Sequence, residues 1–341
     1  MCGIVHITIR RNLLYVIYLM VYYFLRKVDL IIISEKFKFN ESLIFTFLML
    51  FGEFVAGFAI YIYQRYFFKK RPNKASTYLG IELLQNDIIL TRPDNILKIL
   101  LLIFFCAYFD FVQFVILTFF MPKFSALSPT AESRFGGGII IVGALICYYT
   151  LKFKILKHQN YSLLIIAICL IIITILEIIF QGKGVPFGNF FIAYLLLLGY
   201  IVLVPFTDVI EKYLIETDSM NPFLILGIES IFGLILAGIY SEGENPFKDL
   251  PRIYRECSGG EFALFIFLLF LYFALSGALN AYKILINGIF SPMVKTLSIY
   301  ILNPIIYTYY FIIGYDFLSE GERNWFYFIA NIIIAIIVSF F

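Results

Sequence analysis

The chain has 341 residues, of which 62% are hydrophobic and only 14% are charged. A soluble domain carries about 25% charged residues, so the composition excludes a soluble globule of this length. The formal net charge of +3 is spread without a dense basic block, which excludes nucleic acid as an expected partner.

The apolar residues form continuous runs rather than the alternating pattern of barrel strands. The run 161–180 has the 20 or so residues that a spanning helix needs, whereas barrel strands alternate apolar and polar residues over about ten positions. Helices also satisfy every backbone polar group inside lipid. We therefore predict an all-α polytopic membrane protein with one transmembrane domain.

Ten apolar runs approach membrane length. The first follows Arg10 and Arg11 but lacks the small residues of a signal-peptide cleavage site, so we interpret it as a retained span. Because Arg26, Lys27 and Asp29 interrupt it, a shorter span with an interfacial stretch is an alternative. The predicted spans are 12–33, 43–63, 99–120, 130–151, 161–180, 188–207, 221–240, 261–282, 293–314 and 325–341.

Short patterns recur in the two halves of the chain at nearly equal offsets. They are Ser128-Pro129 with Ser291-Pro292 and Gln159-Asn160-Tyr161 with Arg323-Asn324-Trp325, at offsets of 163 and 164 residues. The spacing predicts a duplicated five-helix repeat, 1–182 and 183–341. Because five is odd, the second repeat would be inverted in the membrane.

Acidic residues inside predicted spans point to a structural or functional role, because inserting each into the membrane costs about 2.5 to 3.5 kcal/mol of free energy on insertion scales. They are Glu53, Asp110, Glu177 and Glu229. Glu53 follows Gly52, where a second helix can approach closely, so a functional role and a structural hydrogen bond to that helix are both open. Asp110 and Gln113 share one helix face, which favours a polar cavity over a structural pair.

Cationic and amide side chains complete the predicted site. Arg134 and Lys295 lie near the starts of the fourth and ninth spans, where they would hold an anion from opposite ends of one cavity. The alternative is that both extend to the interface as anchors. The predicted substrate-binding residues are Glu53, Asp110, Gln113, Arg134, Asn280 and Lys295.

Small residues and prolines predict helix packing. Ala274, Gly277, Ala278 and Ala281 form a stripe suited to close helix contact in the eighth span. Pro205 and Pro304 predict kinks inside the sixth and ninth spans.

The sequence lacks the motifs of several enzyme and pump classes. The chain has no Walker loop, nucleophile elbow or HExxH motif. Its five cysteines lack paired spacing and its two histidines are isolated. We therefore predict no catalytic residue, no cofactor and no disulfide or metal site.

One stretch, 208–236, combines an E-K-[YF]-L segment with a following G-x-E-x-x-F-G pattern. The residues that form it are Glu211, Lys212, Tyr213, Leu214, Gly227, Glu229, Phe232 and Gly233. The stretch resembles the junction of the two halves in the drug/metabolite transporter superfamily, in particular its nucleotide-sugar-transporter-like branch. MLFGEFVAG (49–57) and Asp110 are similar to that branch's second and third spans.

The resemblance implies ten helices in two inverted halves, a central cavity and alternating access. We expect a secondary transporter or exchanger of a small polar or anionic, nucleotide-sugar-like metabolite in an endomembrane such as the Golgi or ER. Its partners would be this small molecule and the lipid bilayer, with a homodimer left open. Ile299 and Leu302 stand where relatives often carry polar residues, and a missing polar contact in a cavity implies a different ligand or none. The alternative is a non-transporting receptor or scaffold that retains the carrier fold.

The positive-inside rule predicts that both termini are cytosolic. With this orientation fifteen Lys and Arg residues lie on the cytosolic side and eleven on the other, with concentrations in 67–74 and 151–157. We expect an impermeant thiol reagent to label Asn73→Cys only from the cytosol, and Gly184→Cys only from the opposite side. Strong labelling of Asn73→Cys from the luminal side would overturn the orientation.

Overall fold

The structure, a computed structural model, describes residues 2–39, 41–68, 93–120, 135–152, 154–181, 187–241, 250–312 and 325–340. These residues are helical almost throughout and include no strand, so the all-α prediction is confirmed for this part of the chain. Six of the described helices are long and apolar enough to cross a membrane, which supports a polytopic membrane protein. The count of ten spans stays a prediction.

Twelve α-helices are found among the described residues, and the short π-helical turns Gln64–Phe68 and Ile116–Phe120 extend two of them. The α-helices are α1 (Cys2–Phe37), α2 (Ser42–Tyr63), α3 (Pro93–Val115), α4 (Gly136–Thr150), α5 (Lys157–Gln181), α6 (Phe187–Glu216), α7 (Pro222–Ser241), α8 (Leu250–Glu256), α9 (Gly259–Ile289), α10 (Pro292–Tyr300), α11 (Asn303–Ile312) and α12 (Trp325–Phe340).

Two predicted spans differ from the helices observed. Arg26, Lys27 and Asp29 do not interrupt the first helix, because α1 continues to Phe37. The ninth span is two helices, α10 and α11, and Pro304 lies in the first turn of α11, a position at which proline is tolerated. The helix is thus interrupted directly before Pro304, and a break between two helices stands where a kink was expected. Pro205 lies inside the continuous helix α6.

The described residues form two compact units. One consists of Met1–Phe111 with Ile210–Ser291, and the other of Val112–Val209 with Pro292–Phe341. Each unit takes residues from both predicted repeats, 1–182 and 183–341. The duplication itself stays a prediction, and the Ser128-Pro129 and Arg323-Asn324 patterns on which it rests lie outside the described residues.

In the first unit, α2 packs against both α7 and α9, and α1 packs against α9. Glycines allow these close approaches. A Cβ atom on Gly52 would lie 2.5 Å from the carbonyl oxygen of Phe273 and 3.1 Å from the amide nitrogen of Gly277. A Cβ atom on Gly57 would lie 2.8 Å from the amide nitrogen of Gly227. The glycines thus bring backbone against backbone, as the small-residue stripe of the eighth span predicts for Gly277.

In the second unit, α4 packs against α5 and α10, and α12 packs against α5 and α11. A glycine again sets a close contact, because a Cβ atom on Gly136 would lie 2.5 Å from the ring of Tyr300. Ile139, Ile173 and Leu197 belong to the apolar core that these helices share with α6. The unit is therefore held chiefly by aliphatic packing around a glycine-rich start of α4.

The contact between Gly277 and Gly52 can be tested by adding one methyl group. We expect Gly277→Ala to lower the free energy of unfolding by about 1 to 3 kcal/mol, because the new Cβ atom would meet the Gly52 carbonyl oxygen. Gly238→Ala is the matched control, since no other part of the described chain, outside the backbone of its own helix, lies within 4 Å of its Cβ position. Thermal unfolding in detergent measures both, and equal stability of the two variants would contradict the contact.

Candidate functional site

A polar stripe runs along one face of α9. Ser276, Asn280, Lys283 and Asn287 are spaced at i, i+4, i+7 and i+11, which places them on the same side of a helix. Ser276, Asn280 and Asn287 are buried. Gly277 lies beside this stripe and brings α9 against α2, so the polar side chains are held inside the first unit rather than at its surface.

The stripe meets α2 at Glu53. The amide Nδ2 of Asn280 donates a hydrogen bond to Oε1 of Glu53, and both residues are buried. This is the hydrogen bond to a facing helix that the sequence left open as a structural explanation of Glu53. A buried carboxylate without such a donor would carry a large desolvation cost, so the amide stabilises the glutamate in its apolar surroundings.

Further charges surround this pair. Asp110 of α3, Lys283 of α9, Arg26 of α1 and Glu211 of α6 all interact electrostatically with Glu53. Asp110, for which the sequence predicts a cavity-facing side chain, is exposed on α3. We call Arg26, Glu53, Asp110, Glu211, Asn280 and Lys283 the mixed-charge cluster. It gathers both signs of charge on five different helices of one unit.

Glu211 has its own partner on the α9 stripe. The amide Nδ2 of Asn287 donates a 2.8 Å hydrogen bond to Oε2 of Glu211, and both side chains are buried. α9 therefore presents two buried amides, Asn280 and Asn287, to two buried carboxylates. Sequence reasoning missed Asn287 as a site residue, although the i, i+7 spacing from Asn280 was a signal that could have found it.

Lys212, the neighbour of Glu211, closes the end of α9. Its ammonium donates hydrogen bonds to the carbonyl oxygens of Gly288 (2.8 Å) and Phe290 (3.2 Å), and it lies 2.9 Å from a carboxylate oxygen of Glu216. Its side chain is only 2% exposed. The last carbonyl groups of a helix lack intrahelical partners and carry partial negative charge. Lys212 therefore acts as a buried cap of α9.

The second unit holds two polar pairs of its own. Lys295 forms an ion pair with Asp208, with side chains 11% and 4% exposed, so Lys295 does not extend to the surface as an anchor. The amide of Gln113 donates a 3.3 Å hydrogen bond to the hydroxyl of Thr207. Thr207 and Asp208 are adjacent on α6, and the sequence analysis assigned neither of them to the site.

The predicted site residues that the structure describes are divided between the two units. Glu53, Asp110 and Asn280 belong to the first unit, whereas Gln113 and Lys295 belong to the second. Arg134 lies outside the described residues. Among the residues that are described, no group of three or more His, Cys, Asp or Glu side chains could hold a metal ion.

Several residues of the pattern in 208–236 make tertiary contacts within the first unit. Tyr213 accepts a 3.0 Å hydrogen bond from Lys98, Leu214 is fully buried and Phe232 packs edge-on against Phe104. A Cβ atom on Gly233 would lie 2.7 Å from a methyl carbon of Leu50. These residues position α6 and α7 around the mixed-charge cluster.

No family model matches the chain, and no curated protein matches it either. The resemblance to the drug/metabolite transporter superfamily therefore stays a prediction based on the motifs in 208–236 and 49–57.

The cap on α9 yields a stability prediction. We expect Lys212→Met to lower the free energy of unfolding by about 1 to 3 kcal/mol, because the carbonyl groups of Gly288 and Phe290 lose their buried donor. Lys98→Met is the control, since Lys98 is exposed and its hydrogen bond goes to the phenol of Tyr213 in the same unit. Thermal unfolding should leave the control unchanged, and an equal loss in both variants would contradict the capping role.

Proposed function

We propose that the protein is a secondary transporter or exchanger of a small polar or anionic metabolite, acting by alternating access. The observation that carries the proposal is the mixed-charge cluster, which contains two buried carboxylates and a buried amide on helices of membrane length. Ionisable groups are expensive inside a membrane and typically mark the path of a substrate or ion. The motif resemblance supports the same function and favours a nucleotide-sugar-like solute and an endomembrane.

The cluster offers groups that suit a polar solute. Arg26 and Lys283 can attract an anionic group, while the amide of Asn280 both donates and accepts hydrogen bonds to hydroxyl or carbonyl groups. Lys295 is a further cation in the second unit, but an anion would have to compete with Asp208 for it. Binding at Lys295 would therefore involve exchange of one ion pair for another.

A non-transporting receptor or scaffold is the second candidate. The observation that favours it is internal pairing: Asn280 already bonds Glu53, and Asp208 already pairs with Lys295. Such pairs would also serve a static helix bundle, because a paired buried charge can specify how helices pack.

Transport in proteoliposomes tests the proposal. We expect purified protein to take up at least one member of a panel of nucleotide sugars, nucleotides and small organic anions. Lys283→Gln, Lys295→Gln and Arg134→Gln should each lower this uptake by about tenfold, equivalent to roughly 1.4 kcal/mol of binding free energy. Glu261→Gln is the control, because Glu261 lies in an exposed capping box that glutamine also supports.

The outcomes separate the two candidates. Absence of uptake and of ligand-induced thermal stabilisation across the panel would contradict the transporter. The scaffold would be favoured if the three cationic variants kept normal cellular function while substitutions in the loops abolished it. Normal uptake by Arg134→Gln and Lys295→Gln would exclude these two residues from the site.

A further inference from the structure

We propose that Glu53 is a proton-binding site through which the carrier couples solute movement to a proton gradient. The proposal rests on the proposed transport function and adds the coupling ion to it. It arises from the position of Glu53, the balance of charges around it and the chemistry of its partner on α9.

The position of Glu53 is fixed and enclosed. It lies on α2 immediately after Gly52 and four residues before Gly57, the two glycines at which α2 touches α9 and α7. Only 8% of the residue is exposed. A carboxylate held here cannot move away to water without separating the helices, so its charge has to be balanced in place.

The charges on the helices around α2 do not balance. α7 carries a buried Glu229 as its one charged residue, α9 carries Lys283 near Glu53 and Glu261 at its opposite end, and the electrostatic partners on the other helices are Arg26, Asp110 and Glu211. Even without Glu229, the carboxylates of Glu53, Asp110 and Glu211 outnumber the two cations of the cluster. A proton bound at the buried Glu53 would remove this excess of negative charge, which is most costly for the buried carboxylates of the cluster.

The partner of Glu53 suits both protonation states. An amide has a donor and an acceptor on the same group. Asn280 Nδ2 donates to the ionised carboxylate, and after rotation of the amide its Oδ1 could accept from the O–H of the protonated acid. Ser276, one turn earlier on the stripe, is fully buried and its hydroxyl has no hydrogen-bond partner among the described residues. It is a second group able to donate or accept as the proton arrives.

A proton fits this site better than a metal ion. Within the part of the chain that the structure describes, Glu53, Asp110 and Glu211 do not form a group that could hold a metal. The step is a simple protonation: the carboxylate of Glu53 takes up one proton from one side of the membrane and later releases it to the other. Buried acidic residues of membrane proteins serve in such proton paths.

Carbodiimide modification tests protonation without any solute. Dicyclohexylcarbodiimide reacts with protonated carboxyl groups in apolar surroundings, and peptide mass spectrometry of the full-length protein locates the product. Between about pH 6 and about pH 9, where an ordinary glutamate is ionised, we expect Glu53 to be modified and the modified fraction to fall as the pH rises. Exposed Glu261 is the internal control and should stay unmodified.

Charge variants make this test specific. Lys283→Met removes a nearby cation and should move the midpoint of Glu53 modification to higher pH by roughly one unit, whereas a Glu53 that stays ionised throughout this range would show no midpoint to move. No modification of Glu53, modification confined to Glu229, or an unchanged midpoint in Lys283→Met would overturn the proposal.

Transport then separates this inference from the proposed function. Glu53→Gln should lower the accumulation that a proton gradient drives by about tenfold, whereas Glu261→Gln, the exposed control, should leave this accumulation unchanged. If the wild type moves solute equally with and without a proton gradient, the proton inference is wrong and the transporter stands. If no solute moves at all, the transporter fails, and the carbodiimide profile alone decides whether Glu53 binds a proton.

Discussion

The first unit depends on the backbone contact between Gly52 of α2 and Gly277 of α9. With a Cβ position only 2.5 Å from a facing carbonyl oxygen, neither residue tolerates a side chain. Inside a membrane the hydrophobic effect does not drive helices together, so close packing and polar bonds must do so. The glycine contact supplies the packing, and it brings the neighbouring residues Glu53 and Asn280 into hydrogen-bonding range.

The buried polar groups follow from the same arrangement. α9 presents the amides of Asn280 and Asn287 to the carboxylates of Glu53 and Glu211, and its C-terminal carbonyl groups accept hydrogen bonds from Lys212. Each pairing lowers the cost of keeping a polar group away from water. α9 is therefore both a packing surface and the main source of polar partners in the first unit, which is why its polar stripe is central to both proposals.

α6 contributes to both compact units within a single turn. Asp208 pairs with Lys295 in the second unit, and Glu211, three residues later, pairs with Asn287 in the first. The division of the chain into units therefore differs from the division into predicted repeats. Asp208 and Glu211 are close in sequence on α6 but belong to different units. The same is true of Asp110 and Gln113 on α3.

The sequence by itself determined the helical class and identified the charged residues inside spans that require polar partners. Long apolar runs and the charges within them carry that information locally. It also indicated Gly277 as a packing position. Only the tertiary structure decided that Asn280 meets Glu53 and that Asp208 meets Lys295, since partners on distant helices depend on how those helices cross. The break before Pro304 was likewise decided by the folded chain, because a proline allows either a kink within a helix or the start of a new one.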